Sequence, residues 1–199
     1  MCIQPKYLSP AALQKLRQQY AAAKPFPHIR LTDFFTVKDL KRVEQELLQE
    51  TFVESDADLF SFAQCNDLKY TKQPTLQGLR KYLQSKEFLV WLSYVTGEDL
   101  STELDLSGFV YSDTDHLLPH DDELEGRKIA FVINLSTLTA KQGGQLDLFK
   151  GNKVAQSYSP IWNSVVFFTV KPQHTMHQVR EVINAQRVTL AGWFHGANK

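Results

Sequence analysis

Arg187-Val188-Thr189-Leu190-Ala191-Gly192-Trp193-Phe194 reads as one β-strand with two unlike faces. Successive side chains of an extended chain point to opposite sides, so Arg187, Thr189 and Ala191 share a face. Upstream of it, Gly108 to Tyr111, Lys128 to Leu135, Gln145 to Phe149, Ser164 to Val170 and His177 to Val182 are short runs rich in Val, Ile, Phe and Tyr. Clusters of Gly, Pro, Asn, Asp and Ser part them, as in Gln142-Gly143-Gly144 and Ser159-Pro160. Short strands with turn signals at this spacing predict a sandwich or jelly roll.

The chain before Gly97 has a different texture. Pro10 to Ala23, Thr36 to Glu50, Thr75 to Leu83 and Glu87 to Gly97 carry apolar residues at helical spacing, with His28 to Leu31 as a short strand between the first two. Ser9 before Pro10 is a good helix N-cap. Helices that precede the strands, instead of alternating with them, disfavour a parallel βαβ sheet. The expectation is an α+β fold over 1–199 as one domain, with helical support mainly in 10–97 and the jelly-roll core mainly in 98–196. Glu54 to Pro74, polar with Phe60, Phe62 and Tyr70, is expected to be a loop covering a substrate.

With 199 residues the chain is long enough for one domain with its own core and short for two. Aromatics make up 12%, including 13 Phe, which suits a β-core. The 22 basic and 22 acidic residues cancel, so no global field argues for nucleic acid or an anionic membrane as a partner. Cys2 and Cys65 lack any CxxC spacing, which argues against a disulfide framework or a thiolate zinc site. With no apolar run of the length a membrane span needs, a cytoplasmic protein is expected.

Within Leu117-Leu118-Pro119-His120-Asp121-Asp122-Glu123, His120 and Asp122 lie two apart. In an extended chain an imidazole and a carboxylate at i and i+2 converge on one ion while Asp121 faces away. Two histidines and one carboxylate on one face of a metal are the facial arrangement of non-haem Fe(II) oxygenases. His177 is the best third ligand, with His174 as its competitor. His116 shares the parity of His120 and is a candidate supporting residue, whereas His28 and His195 read as structural histidines. Taken alone, the His-x-Asp triplet is weak and could equally be part of an acidic, solvated loop.

Arg187 follows His177 by ten residues. An arginine on the inner face of a sheet is costly without an anionic partner. A distal carboxylate of a co-substrate resolves that cost through a bidentate pair, and Thr189 and Tyr111 are candidate hydroxyl donors beside it. The competing reading is an ordinary salt bridge from Arg187 to a carboxylate such as Glu181.

The stretches Pro25-Phe26-Pro27-His28, His120-Asp121-Asp122-Glu123-Leu124-Glu125-Gly126-Arg127, Gly143-Gly144-Gln145-Leu146-Asp147-Leu148, Ser164-Val165-Val166-Phe167-Phe168, His177-Gln178-Val179 and Gly192-Trp193-Phe194-His195-Gly196 resemble the catalytic domain of the eukaryotic ribosomal prolyl hydroxylases. These belong to the 2-oxoglutarate/Fe(II) prolyl hydroxylase superfamily. The resemblance implies a double-stranded β-helix, or jelly-roll, core with supporting helices. It also implies hydroxylation of a peptidyl proline in a protein substrate, a ribosomal or translation protein in the family resembled. The implied cofactors are Fe(II), 2-oxoglutarate and O2, with ascorbate as a reductant. By position the family's iron ligands fall on His120, Asp122 and His177, its co-substrate arginine on Arg187 and its co-substrate tyrosine on Tyr111. That family continues into a second jelly-roll domain, so this chain is expected to be a single-domain relative. Two other classes compete with the oxygenase: a non-catalytic jelly-roll binding module with a structural metal, and a zinc hydrolase using the same three ligands.

Overall fold

The computed structural model describes residues 2–197. Among the described residues four α-helices occur where apolar spacing places them: α1 (Pro10–Ala22), α2 (Val37–Leu47), α3 (Pro74–Leu83) and α4 (Lys86–Thr96). Ser9 caps α1 by accepting from the Ala12 amide, and Ser85 does the same for α4 through Phe88. Gly97, in the left-handed region at φ 79°, ends α4 where a side chain would be strained.

Eleven strands follow the sequence as β1 (His28–Thr32), β2 (Phe52–Ala57), β3 (Phe60–Cys65), β4 (Leu100–Tyr111), β5 (His116–His120), β6 (Arg127–Asn134), β7 (Leu146–Lys150), β8 (Lys153–Tyr158), β9 (Ser164–Thr169), β10 (His177–Val179) and β11 (Arg187–Gly196). All pairings are antiparallel, in the order β1-β9-β6-β11-β4-β3-β5-β10-β7-β8, with β2 joined to β3. The sheet curls on itself: β1, β9, β6, β11 and β4 form one wall, and β5, β10, β7 and β8 form the facing one. This is the jelly roll of the sequence expectation.

Alternation along the strands decides what each face meets. Ile129, Phe131 and Ile133 of β6, Val165 and Phe167 of β9, and Leu190 and Phe194 of β11 point outward and are covered by Leu40, Val43, Leu76, Leu79, Phe88 and Leu92 of the helices. Val166 and Phe168 point the other way and meet Leu146 and Leu148 of the facing wall. The helices therefore seal one face, and the cavity lies between the walls.

One expectation needs correction. The strand expected at His28 to Leu31 forms as β1, but β2 and β3 join the sheet as well. Residues 54–74 are not a loop: β2 and β3 pair from Phe52↔Cys65 to Ala57↔Phe60 as a hairpin. β3 then bridges the walls, pairing with β4 at Ala63↔Val110 and with β5 at Phe60↔Leu117. Phe60 and Phe62, read as loop aromatics, stack at 4.9 Å between ring centroids.

Candidate active site

The cavity between the walls measures about 310 Å3 and is lined by His120, Asp122, His177, Tyr111, Arg187 and Thr189 among apolar side chains. β5 and β10 bring the two histidines together as direct cross-strand partners, His177↔His120, with ring centroids 4.2 Å apart. Asp122 reaches them by a route the strand-parity argument missed. β5 ends at His120, and Asp122 has φ +60°, in the left-handed region that Asp adopts more readily than most residues. The turn, not an extended chain, swings its carboxylate back, to 3.3 Å from His120 Nε2 and 3.2 Å from His177 Nε2. Asp121 faces away as expected and accepts from the Gln173 amide at 2.8 Å, tying this turn to the one before β10.

Both imidazoles are oriented by their second nitrogen. His120 Nδ1 lies 2.9 Å from the Leu118 carbonyl, and His177 Nδ1 lies 2.9 Å from the Thr175 carbonyl. A carbonyl only accepts, so Nδ1 carries a hydrogen and Nε2 is the nitrogen turned to the site, where it donates to Asp122 when protonated and offers its lone pair to a metal when not. Burial opposes the charged form of Asp122, but the His177 and His120 imidazoles outweigh it and hold the carboxyl far below the usual carboxylate range. For His120, burial works against the imidazolium, and the Asp122 hydrogen bond and charge overcome it and raise its pKa. Ligand atoms of all three lie within 4.8 Å of one another, two imidazole nitrogens and a carboxylate oxygen on one side of a cavity. This donor set fits a divalent ion of the Fe(II) type. His174 is exposed in a turn and outside this group, while His116 Nδ1 lies 3.1 Å from the Thr114 carbonyl. His28 is buried between the Phe26 carbonyl and the Tyr158 hydroxyl, a structural histidine as expected.

Arg187, 2% exposed, opens β11 opposite Tyr111 of β4. Among the described residues no carboxylate pairs with it, so the Glu181 salt bridge does not form. Its guanidinium carbon is 5.0 Å from the Tyr111 ring centroid, and its Nε–H is buried without an acceptor. Burial depresses its pKa, with Tyr111 opposing the shift. Burial likewise pushes the Tyr111 hydroxyl up to about 12, Arg187 pulling the other way, so the phenol stays protonated and can donate. Thr189, the next residue on that face, is buried beside them. Gly143 brings the neighbouring loop close: at φ +69°, a Cβ there would sit 1.8 Å from the Glu181 carbonyl oxygen.

Two lining residues escaped the sequence reading. Trp193 continues the Arg187, Thr189, Ala191 face, and Arg127 lies 3.5 Å above its ring. Arg127 also meets the Asp105 carboxylate at 3.4 Å, and His195 meets the same oxygen at 3.1 Å. Arg127 Nε and Trp193 Nε1 are both buried donors without an acceptor. Extending the β11 alternation by two residues would have found Trp193; nothing in the spacing pointed to Arg127.

A jelly roll that gathers two imidazoles, a carboxylate and an unpaired arginine in one cavity has the parts of a mononuclear metal enzyme that takes an anionic co-substrate. Residues 106–195 match the model of the 2OG-Fe(II) oxygenase superfamily. The chain is 41% identical over 182 residues to mouse prolyl 3-hydroxylase OGFOD1, covering 86% of this chain and 33% of that protein. It is 34% identical over 195 residues to Ostreococcus tauri prolyl 3,4-dihydroxylase OGFOD1, covering 86% of this chain and 38% of that one. It thus spans about a third of the length of these curated relatives. Its fold matches a Pseudomonas putida prolyl-4-hydroxylase crystal structure with a TM-score of 0.76 at 14% identity, over 92% of this chain and 100% of that chain. The chain belongs to the 2OG-Fe(II) oxygenase superfamily.

Proposed function

We propose that the protein is a 2-oxoglutarate- and Fe(II)-dependent dioxygenase that hydroxylates a prolyl residue of a protein substrate. The reaction consumes 2-oxoglutarate and O2, places one oxygen atom on the proline, and releases succinate, which carries the other, together with CO2. The observation that carries this reading is Arg187: a buried guanidinium without an acid partner, in the same cavity as a metal-ligand set. A zinc hydrolase would give that arginine no task.

His120, Asp122 and His177 would hold Fe(II). With co-substrate and O2 bound, the iron supplies the oxidising power for an unactivated C–H bond, and the protein supplies position and shelter from solvent. Arg187 would take the distal carboxylate of 2-oxoglutarate as a two-pronged pair, with Tyr111 and Thr189 donating beside it. The helix-covered wall keeps water away from the site. Prolyl substrates are supported by the names of the relatives, which also make position 3 of the ring the first to examine. The motif resemblance makes a ribosomal or translation protein the first substrate to test. A cytoplasmic setting fits the two unpaired cysteines, exposed Cys2 and buried Cys65.

Arg127 and Trp193 offer a seat for the peptide: a flat aromatic surface for a pyrrolidine ring and two donors for backbone carbonyls. Arg127→Ala is expected to raise KM for the peptide at least about tenfold, the lower end of the worth of one charged hydrogen bond. Affinities for metal and 2-oxoglutarate should stay as they are; a loss of either would remove the residue from the peptide seat.

The test of the function itself is twofold. Succinate formation should require both Fe(II) and 2-oxoglutarate, and mass spectrometry of the host proteome with and without the protein should show a gain of one oxygen on a proline. Metal binding without any affinity for 2-oxoglutarate would instead favour a binding module with a structural metal.

A further inference from the structure

Asp147, in the Gly143-Gly144-Gln145-Leu146-Asp147-Leu148 stretch, has no part in the chemistry above. It is a carboxylate at 0% exposure, flanked on β7 by Leu146 and Leu148, whose side chains point into the space between the walls. Asp147 therefore points out of the opposite face of that wall. There its Oδ2 accepts from Gln178 Nε2 at 2.8 Å and from Arg180 Nε at 2.5 Å, while Oδ1 has no partner.

Of those two donors Arg180 directly follows β10, and Gln178 is the middle residue of that strand, which has only three residues, His177–Val179. Its pairing with β7 runs His177↔Leu148, Gln178↔Asp147, Val179↔Leu146, and its pairing with β5 is irregular between His177 and Val179. So short a strand has few ladder bonds to fix its rotation about its own axis. Gln178 and Arg180 lie on one face, His177 and Val179 on the other. Holding the first pair outward therefore aims the second pair into the cavity. An ion pair between a buried carboxylate and a half-exposed arginine is a weak source of stability, because desolvation of the carboxylate offsets the attraction, so what this one offers is direction.

We infer that Asp147 is a positioning residue for the metal site: by gripping Gln178 and Arg180 it fixes the strand that presents His177. This rests on the proposed role of His177 as a ligand, and the test separates the two. Co(II) is titrated into the metal-free protein and read by its visible absorption bands. Asp147→Asn is expected to weaken Co(II) about tenfold or more and to alter the bands, in line with the effect of other groups that orient a ligand. Arg180→Gln, with the arginine side chain 47% exposed and so safe for folding, should act in the same direction but less. The melting temperature of the metal-free protein should move little in either variant.

In a His120→Ala background Asp147→Asn should weaken Co(II) by the same factor again, but in a His177→Ala background it should add nothing. Wild-type Co(II) affinity and bands in both single variants would overturn the positioning role. So would an equal further loss without His177, which would mean a general effect on the fold. A wild-type protein that takes up no Co(II) would overturn the reading of the triad, and this inference with it.

Discussion

Arg187→Met is expected to raise the melting temperature of the ligand-free protein while lowering its 2-oxoglutarate affinity about thirtyfold or more. The two effects have one cause. Arg187 is fully buried, faces Tyr111 rather than an acid, and leaves its Nε–H without an acceptor. In the ligand-free protein its charge therefore bears a desolvation cost with little return. Replacing buried charged groups by apolar ones of similar volume is often neutral or stabilising, by about 1–4 kcal/mol. For a chain of this size each kcal/mol corresponds to roughly 2–4 °C in melting temperature.

With the co-substrate bound the balance reverses. Loss of one partner from a buried, hydrogen-bonded charge pair costs about 2–5 kcal/mol, which at about 1.4 kcal/mol per factor of ten is thirtyfold to several thousandfold in affinity. Arg187→Lys should fall between, since an ammonium keeps the charge but not the flat two-pronged geometry. Thermal melts with Mn(II), with and without 2-oxoglutarate, read both effects while avoiding turnover. A variant that loses stability but still binds 2-oxoglutarate would mean that the arginine serves the fold.

How much of this was legible in the sequence follows from what each signal depends on. The inner face of β11 was readable because strand alternation is a local rule, and the same rule extended to Trp193 had it been carried two residues further. The helices were readable from their apolar stripes and from caps such as Ser9. The β2–β3 hairpin was not, because Glu54, Ser55, Asp56 and Asp58 look like a polar loop. Glu54, Ser55 and Asp56 sit on β2, whose only strand partner among the described residues is β3, Asp58 lies in the turn, and the pairing of β3 to β4 and β5 is a tertiary fact. β5 and β8 were missed for a similar reason: each is half-exposed and short of the Val and Ile runs that mark a buried strand. At the site, the three residues named as ligands do come together, but not by the geometry expected of them. Asp122 converges on the histidines through a left-handed turn, and a lone positive-φ aspartate leaves no trace in residue spacing. Arg127 and Asp147 lie in stretches that carry the family resemblance, but their roles were unreadable because they rest on partners far off in the chain.

That left-handed turn separates two roles of Asp122 that an alanine substitution would confuse. Asp122→Asn should weaken metal binding at least about a hundredfold, because losing a direct anionic ligand exceeds the ten- to hundredfold typical of losing a group that only orients one. Asparagine adopts φ +60° about as readily as aspartate, so the backbone of the turn should survive and the loss can be assigned to the carboxylate. Asp122→Ala removes the same ligand and also the polar group that makes the left-handed region tolerable, leaving roughly 1–2 kcal/mol of Cβ strain uncompensated. Asp122→Gly removes the ligand without that strain. Of the two truncations glycine should therefore give the more stable metal-free protein, the reverse of the usual order, in which the freedom of glycine in the unfolded chain makes it the poorer choice. Metal titration and thermal melts on the three variants read the two roles independently. An alanine variant as stable as the glycine one would mean that the turn relaxes, and retained metal binding in the asparagine variant would remove Asp122 from the ligand set.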